Sequence, residues 1–220
     1  DSTVRMSDLD SQLGSSSVES VVETAVSAVK ACIKKTGYLY ADTHSTQPVK
    51  LDAYNGKKAE FIISGDKLFV KSFDDSNDNF SLFRHTVTNG VVSAAEMLDT
   101  SIKACNIIGA DVWYRRSVTG SSLCDLYKYS AEKEKIDGDV ASFAELPDGS
   151  VLIVKNFVSS ADGEIADLYL YDGKKTSLVA EKAELKNMKY SDKGISFIRS
   201  GGDLCIYSKK TINCRNHFTY

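Results

Sequence analysis

The chain has 220 residues, 42% of them hydrophobic, which is enough apolar material to bury a core without a dense set of disulfides or metals. A formal net charge of −3 and a sequence pI near 5.7 exclude the electrostatic footprint that phosphate backbones or anionic lipid require, so nucleic acid is not an expected partner. No run of ~18 to 20 apolar residues is present to span a bilayer.

In chain order, residues 1 to 15 are polar and read as a lead-in; the opening at Asp1 rather than methionine reads as a processed or excised form. From Ser16 the apolar residues Val18, Val21, Val22, Ala25, Val26, Val29 and Ile33 fall on one helical face. Ser16 with Glu19 reads as a capping box and Gly37 as a stop, so a helix is predicted over about 17 to 35. Alternating runs then follow at 38–40, 58–63 and 67–70, separated by turn chemistry at Asn55-Gly56 and Ser64-Gly65-Asp66. A second helix is predicted over about 93 to 107, with Ser93 and Glu96 as its box, Ala94, Leu98, Ile102 and Cys105 on one face, and Gly109 as its stop. Residues 112 to 207 read as strand and turn throughout.

Two repeats emerge from this pass. Lys30-Ala31-Cys32 and Lys103-Ala104-Cys105 each sit at a predicted helix end before an aromatic run, which suggests two lobes, 1–90 and 91–220. The expected fold class is therefore α+β: an N-terminal amphipathic helix packed on antiparallel sheet, then a second helix followed by a larger β-meander. The second repeat consists of Asp125-Leu126-Tyr127, Asp167-Leu168-Tyr169 and Asp203-Leu204-Cys205, whose spacing of ~40 residues also suits propeller blades.

The stretch from Val21 to Cys32 resembles the soluble end of the long N-terminal helix of type IV pilins and pseudopilins. That resemblance implies a non-enzymatic, extracellular or cell-surface filament subunit that assembles with other protein subunits through the helix face Val18, Val21, Val22, Ala25, Val26, Val29 and Ile33. Its membrane contact would come only through a segment upstream of Asp1. The alternative, from the second repeat, is a β-propeller-like ligand- or protein-binding module.

For chemistry, the three histidines His44, His85 and His217 lie in no motif, and no nucleophile elbow, phosphate loop or HExxH is present. The acidic run from Asp74 to Asn79 lacks the glycine and glutamate positions of a calcium loop and reads as a solvated connection. Five cysteines leave one thiol outside any set of internal pairs. Cys32 and Cys105 occupy matching helix ends, and with Cys124 they would make a partial zinc site, although burial as small hydrophobes is the commoner fate of such residues. No cofactor is required by this reading; a structural zinc is the one it admits. Cys205 and Cys214, nine apart, are the candidate disulfide across a terminal hairpin. Tyr127, Tyr129, Tyr169, Tyr171 and Tyr207 alternate along strands and are expected to pack in cross-strand pairs or to form a contact stripe.

Overall fold

The computed structural model describes residues 18–23, 31–35, 38–43, 47–54, 57–73, 79–161, 163–191, 194–199, 202–208 and 211–215. The chain divides into two compact units, Asp1–Lys103 and Ala104–Tyr220. Among the described residues the only helical turn is a 3-10 turn at Asp52–Tyr54, and no helix is long and apolar enough to cross a membrane. The α+β expectation is thereby overturned.

In unit 1, β1 (Val18–Glu23), β2 (Ala31–Lys35), β3 (Tyr38–Asp42) and β4 (Val49–Lys50) form one antiparallel sheet in chain order. The predicted first helix is thus replaced by β1 and β2, where Val21 pairs with Ile33 and Val22 with Cys32. Ala25, Val26, Val29 and Gly37 lie outside the described residues. The physical reason lies in the stripe's composition, because six of its seven residues are β-branched. Such side chains lose rotamer freedom in a helix and pack well on a pleated surface. Helical spacing alone did not outweigh that preference once β3 offered a partner, pairing Ile33 with Tyr40 and Lys34 with Leu39. The assembly helix, and with it the pilin-like filament reading, is contradicted by this architecture.

A second ladder in unit 1 consists of β5 (Ala59–Ser64), β6 (Lys67–Phe73), β7 (Phe80–Thr88) and the first part of β9 (Glu96–Ile108), with the short β8 (Val91–Val92) folded back on β7. The core of the unit gathers Leu39, Ala41, Leu51, Tyr54, Ala59, Leu68, Val70 and Val87. β9 stands where the second helix was expected. Of its buried residues Leu98, Asp99, Ile102, Cys105 and Ile108, the last four recur every three positions, which is close enough to the helical 3.6 to mislead a periodicity argument. A bulge against β7 produces the first of these intervals: Leu82 pairs with Asp99 and Phe80 with Ile102, so Thr100 and Ser101 together face the single residue Ser81.

Unit 2 continues from the end of β9 through β10 (Asp111–Ser117), β11 (Cys124–Tyr129), β12 (Lys133–Glu145), β13 (Val151–Ser160), β14 (Gly163–Tyr171), β15 (Thr176–Ser191), β16 (Gly194–Arg199), β17 (Leu204–Ser208) and β18 (Thr211–Arg215). Antiparallel sheet is what the sequence pattern led one to expect over 112–207. From β10 onward each strand pairs antiparallel with the next in one unbroken ladder, rather than in separate closed blades, so the propeller alternative finds no support in this topology. β13 lies at the centre and is covered on both faces. Val151 and Ile153 pack with Trp113, Leu126, Val140 and Tyr171, whereas Leu152 and Val154 pack with Leu168, Ala180, Phe197 and Tyr207. A strand buried on two sides needs an unbroken apolar run, and Val151-Leu152-Ile153-Val154 supplies it.

Candidate functional site

Three strands share one local device. Leu126 pairs with Asp137 and Cys124 with Val140, so Gly138 and Asp139 face Asp125; Leu168 pairs with Ala180 and Ala166 with Ala183, so Glu181 and Lys182 face Asp167. With Thr100 and Ser101 facing Ser81, each case sets a polar residue, a fully buried leucine and an aromatic residue against a bulge on the following strand. Ser101, Asp139 and Lys182 adopt left-handed φ angles of 58°, 57° and 50°. A non-glycine residue pays roughly 1–2 kcal/mol for that conformation, so something nearby must hold each bulge in place.

At Asp167 the holding contacts are explicit. Its Oδ1 accepts the backbone N–H of Lys182 at 2.9 Å and its Oδ2 accepts Asn156 Nδ2 at 2.7 Å. Asn156, with φ of 50°, belongs to a bulge of its own: Lys155 pairs with Asp167 and Val158 with Ile165, leaving Asn156 and Phe157 opposite Ala166. One carboxylate therefore ties the bulges of the strands on both its sides. At the other copy, Asp125 accepts Lys135 Nζ at 2.8 Å, an interaction that raises the Lys135 ammonium above its ordinary pKa. Lys155 Nζ donates to Asp137 Oδ1 at 2.7 Å and lies 5.2 Å from the centre of the Tyr169 ring.

Beyond this polar seam the β13–β14 hairpin continues as an arm. Residues 151–154 are all buried, whereas residues 156–160 are all exposed, among them Phe157 at 41% and Val158 at 52%. Two adjacent apolar side chains on an arm held at its base are the arrangement in this unit best suited to meet another molecule. An open cleft of about 660 Å³ is lined by Ala144, Glu145, Leu146, Pro147, Tyr190 and Ser191.

Three of the alternating tyrosines are packing residues. Tyr127 stacks on Tyr114 at 5.6 Å, Tyr171 meets Trp113 edge-on at 5.5 Å, and Tyr207 is buried. Of the zinc candidates, Cys105 and Cys124 are buried in unit 2, while Cys32 belongs to β2 in unit 1 and its side chain lies outside the description. Among the described residues no group of three or more His, Cys, Asp or Glu is placed to hold a metal. Cys205 and Cys214 face each other across β17 and β18 and are joined as a disulfide, with Cα atoms 4.1 Å apart.

Among the described residues of unit 1 a polar cluster gathers around His85. His85 lies within β7 and is 3% exposed; its Nδ1 is 2.9 Å from the Ser93 carbonyl oxygen and its Nε2 is 2.8 Å from the Tyr54 hydroxyl. A carbonyl oxygen only accepts, so Nδ1 carries the proton and Nε2 of the neutral ring accepts the Tyr54 O–H. Burial lowers the His85 pKa, outweighing the bond to Ser93. Together with Thr43 Oγ1 donating to the Gly90 carbonyl at 2.7 Å, this cluster fastens the β7–β8 turn and reads as structural. His44 and His217 lie outside the described residues, as do residues 74–78 of the acidic loop.

Sequence reasoning missed Phe157, Val158 and Asn156. Exposure cannot be inferred from apolar character, and an asparagine inside a strand-like run was the one signal of a bulge.

No family model matches the chain, and neither does any curated protein. Thirteen chains of solved structures match, among them TolB from Acinetobacter baumannii, with a TM-score of 0.39 and 11% identity over 88% of this chain. The match takes in 51% of the TolB chain, so this protein spans about half of that length. A likeness at that level assigns no function.

Proposed function

We propose that this chain is a non-catalytic β scaffold that recognises another protein through the β13–β14 arm. The observation carrying this reading is the exposure of Phe157 and Val158 at consecutive positions of an arm whose base is fixed by Asp167. Burying one of these side chains against a partner would contribute on the order of 1.5–3 kcal/mol of transfer free energy, the scale of an interface anchor. The acidic overall balance supports a protein rather than a nucleic-acid partner. The disulfide between Cys205 and Cys214 supports an oxidising, extracytoplasmic compartment. The reading requires no cofactor.

The test compares the Phe157→Ser/Val158→Ser double variant with the parent and with Leu178→Ser, which alters another exposed apolar residue. All three should melt within a few degrees of one another. A partner enriched from host extract by the parent and by Leu178→Ser, absent with the double variant, and binding the purified parent in calorimetry is the expected result. If every enriched protein is retained by the double variant, the arm is not the contact and the reading fails.

A further inference from the structure

We infer that β18 is a strand-addition edge that takes an extended, acidic segment of a partner polypeptide. This inference is independent of the arm, because it concerns the terminal strand of the ladder in unit 2 rather than its central hairpin and rests on backbone groups. β18 pairs with β17 on one side, all five of its residues are exposed, and among the described residues no strand lies on its other side. Its register tells which backbone groups point outward. Cys205 and Cys214 are directly opposite with Cα atoms 4.1 Å apart, the narrow spacing of a non-hydrogen-bonded pair. Pairs in an antiparallel ladder alternate, so Asn213 exchanges its bonds with Ile206, whereas the N–H and C=O of Ile212 and Cys214 face away from β17. Such a row is a template for another strand.

Two further features define the occupant. The disulfide fixes the strand in register before binding, which removes part of the ordering cost of adding a strand. Residues 199–220 carry four Lys or Arg and one acidic side chain in a chain whose net charge is −3, and Arg215 stands on the edge strand itself. An incoming strand with an apolar residue opposite Ile212 and a carboxylate opposite Arg215 would make both cross-strand pairs.

The test titrates the full chain with a fluorescein-labelled peptide of alternating glutamate and valine, read by anisotropy. Four further probes are its lysine-for-glutamate counterpart, a version N-methylated at alternate amides, and the Ile212→Pro and Ile212→Thr variants. Proline at 212 removes an outward N–H and leaves the bonds to β17 intact, whereas threonine keeps that donor. The acidic peptide should bind the parent and Ile212→Thr within about threefold of each other. It should bind Ile212→Pro at least about tenfold more weakly, the effect of losing a backbone hydrogen bond at this edge. The lysine and N-methylated peptides should lose at least as much. If Ile212→Pro disturbs the fold by circular dichroism, the N-methylated peptide on the parent decides the matter. Absence of saturable binding, or equal binding by the N-methylated peptide, overturns the inference. Self-association that Ile212→Pro abolishes, without peptide binding, would give the edge to a second copy and also overturn it.

Discussion

Asp167-Leu168-Tyr169 and Asp203-Leu204-Cys205 begin alike and end up facing opposite ways. In the first, Leu168 is fully buried and the next strand bulges opposite Asp167; in the second, Leu204 is 40% exposed, Cys205 takes the core position, and β18 pairs without a bulge. A shift of one residue turns every side chain of a strand to its other face, so what decides the outcome is the register and not the dipeptide. At Asp167 the register is held by hydrogen bonds to a bulge, and at Asp203 by a covalent bridge between facing cysteines.

The sharpest break of the comparison is truncation of the two leucines. Leu168→Ala should cost about 2–5 kcal/mol in denaturant unfolding, whereas Leu204→Ala should change stability by less than about 1 kcal/mol. Equal effects would mean that the two registers are not distinct. Next in size, the paired Cys205→Ser/Cys214→Ser variant should lose about 2–3 kcal/mol, the scale expected for closing a loop of this length. Reduction of the parent with dithiothreitol should reproduce that loss. At the aspartates, Asp167→Ala should cost about 0.5–1.5 kcal/mol, the net worth of its exposed bonds to the Lys182 N–H and Asn156, and Asp203→Ala should cost less; paired thermal melts would separate them. Smallest, Lys182→Gly should raise stability by up to about 1 kcal/mol, because glycine adopts the left-handed conformation without the Cβ penalty.

Acid provides a readout away from both copies. His85 is neutral when folded and its pKa is lowered by burial, so below its ordinary value near 6.5 the unfolded chain binds a proton that the folded chain resists. The His85 contribution should be complete above that pH and lost as pH falls through the folded value. Unfolding titrations of the parent and of His85→Gln across that window should diverge in slope, while Leu168→Ala and its parent stay parallel.

The sequence was informative where side chains alternate cleanly. The strands between 112 and 207 and the facing of Cys205 and Cys214 both follow from local pattern and short spacing. It misled where β-branched residues fell at helical intervals, as in β1 and β2, and where bulges stretched a period of two into three, as in β9. Both errors have one source. Periodicity reports which residues share a face, and a bulged strand can place residues three apart on one face much as a helix does.

What the sequence alone determined was therefore an acidic chain with antiparallel β structure over residues 112–207, enough apolar residues for its cores and a recurring Asp-Leu signal. Tertiary structure decided the rest: that residues 18–23 and 96–108 are strands, that β13 is buried on two sides, that His85 is locked between Tyr54 and Ser93, and that Phe157 and the outer edge of β18 face solvent. Strand identity, register and exposure depend on partners distant in the chain, and a local pattern carries no record of which partner a strand will meet.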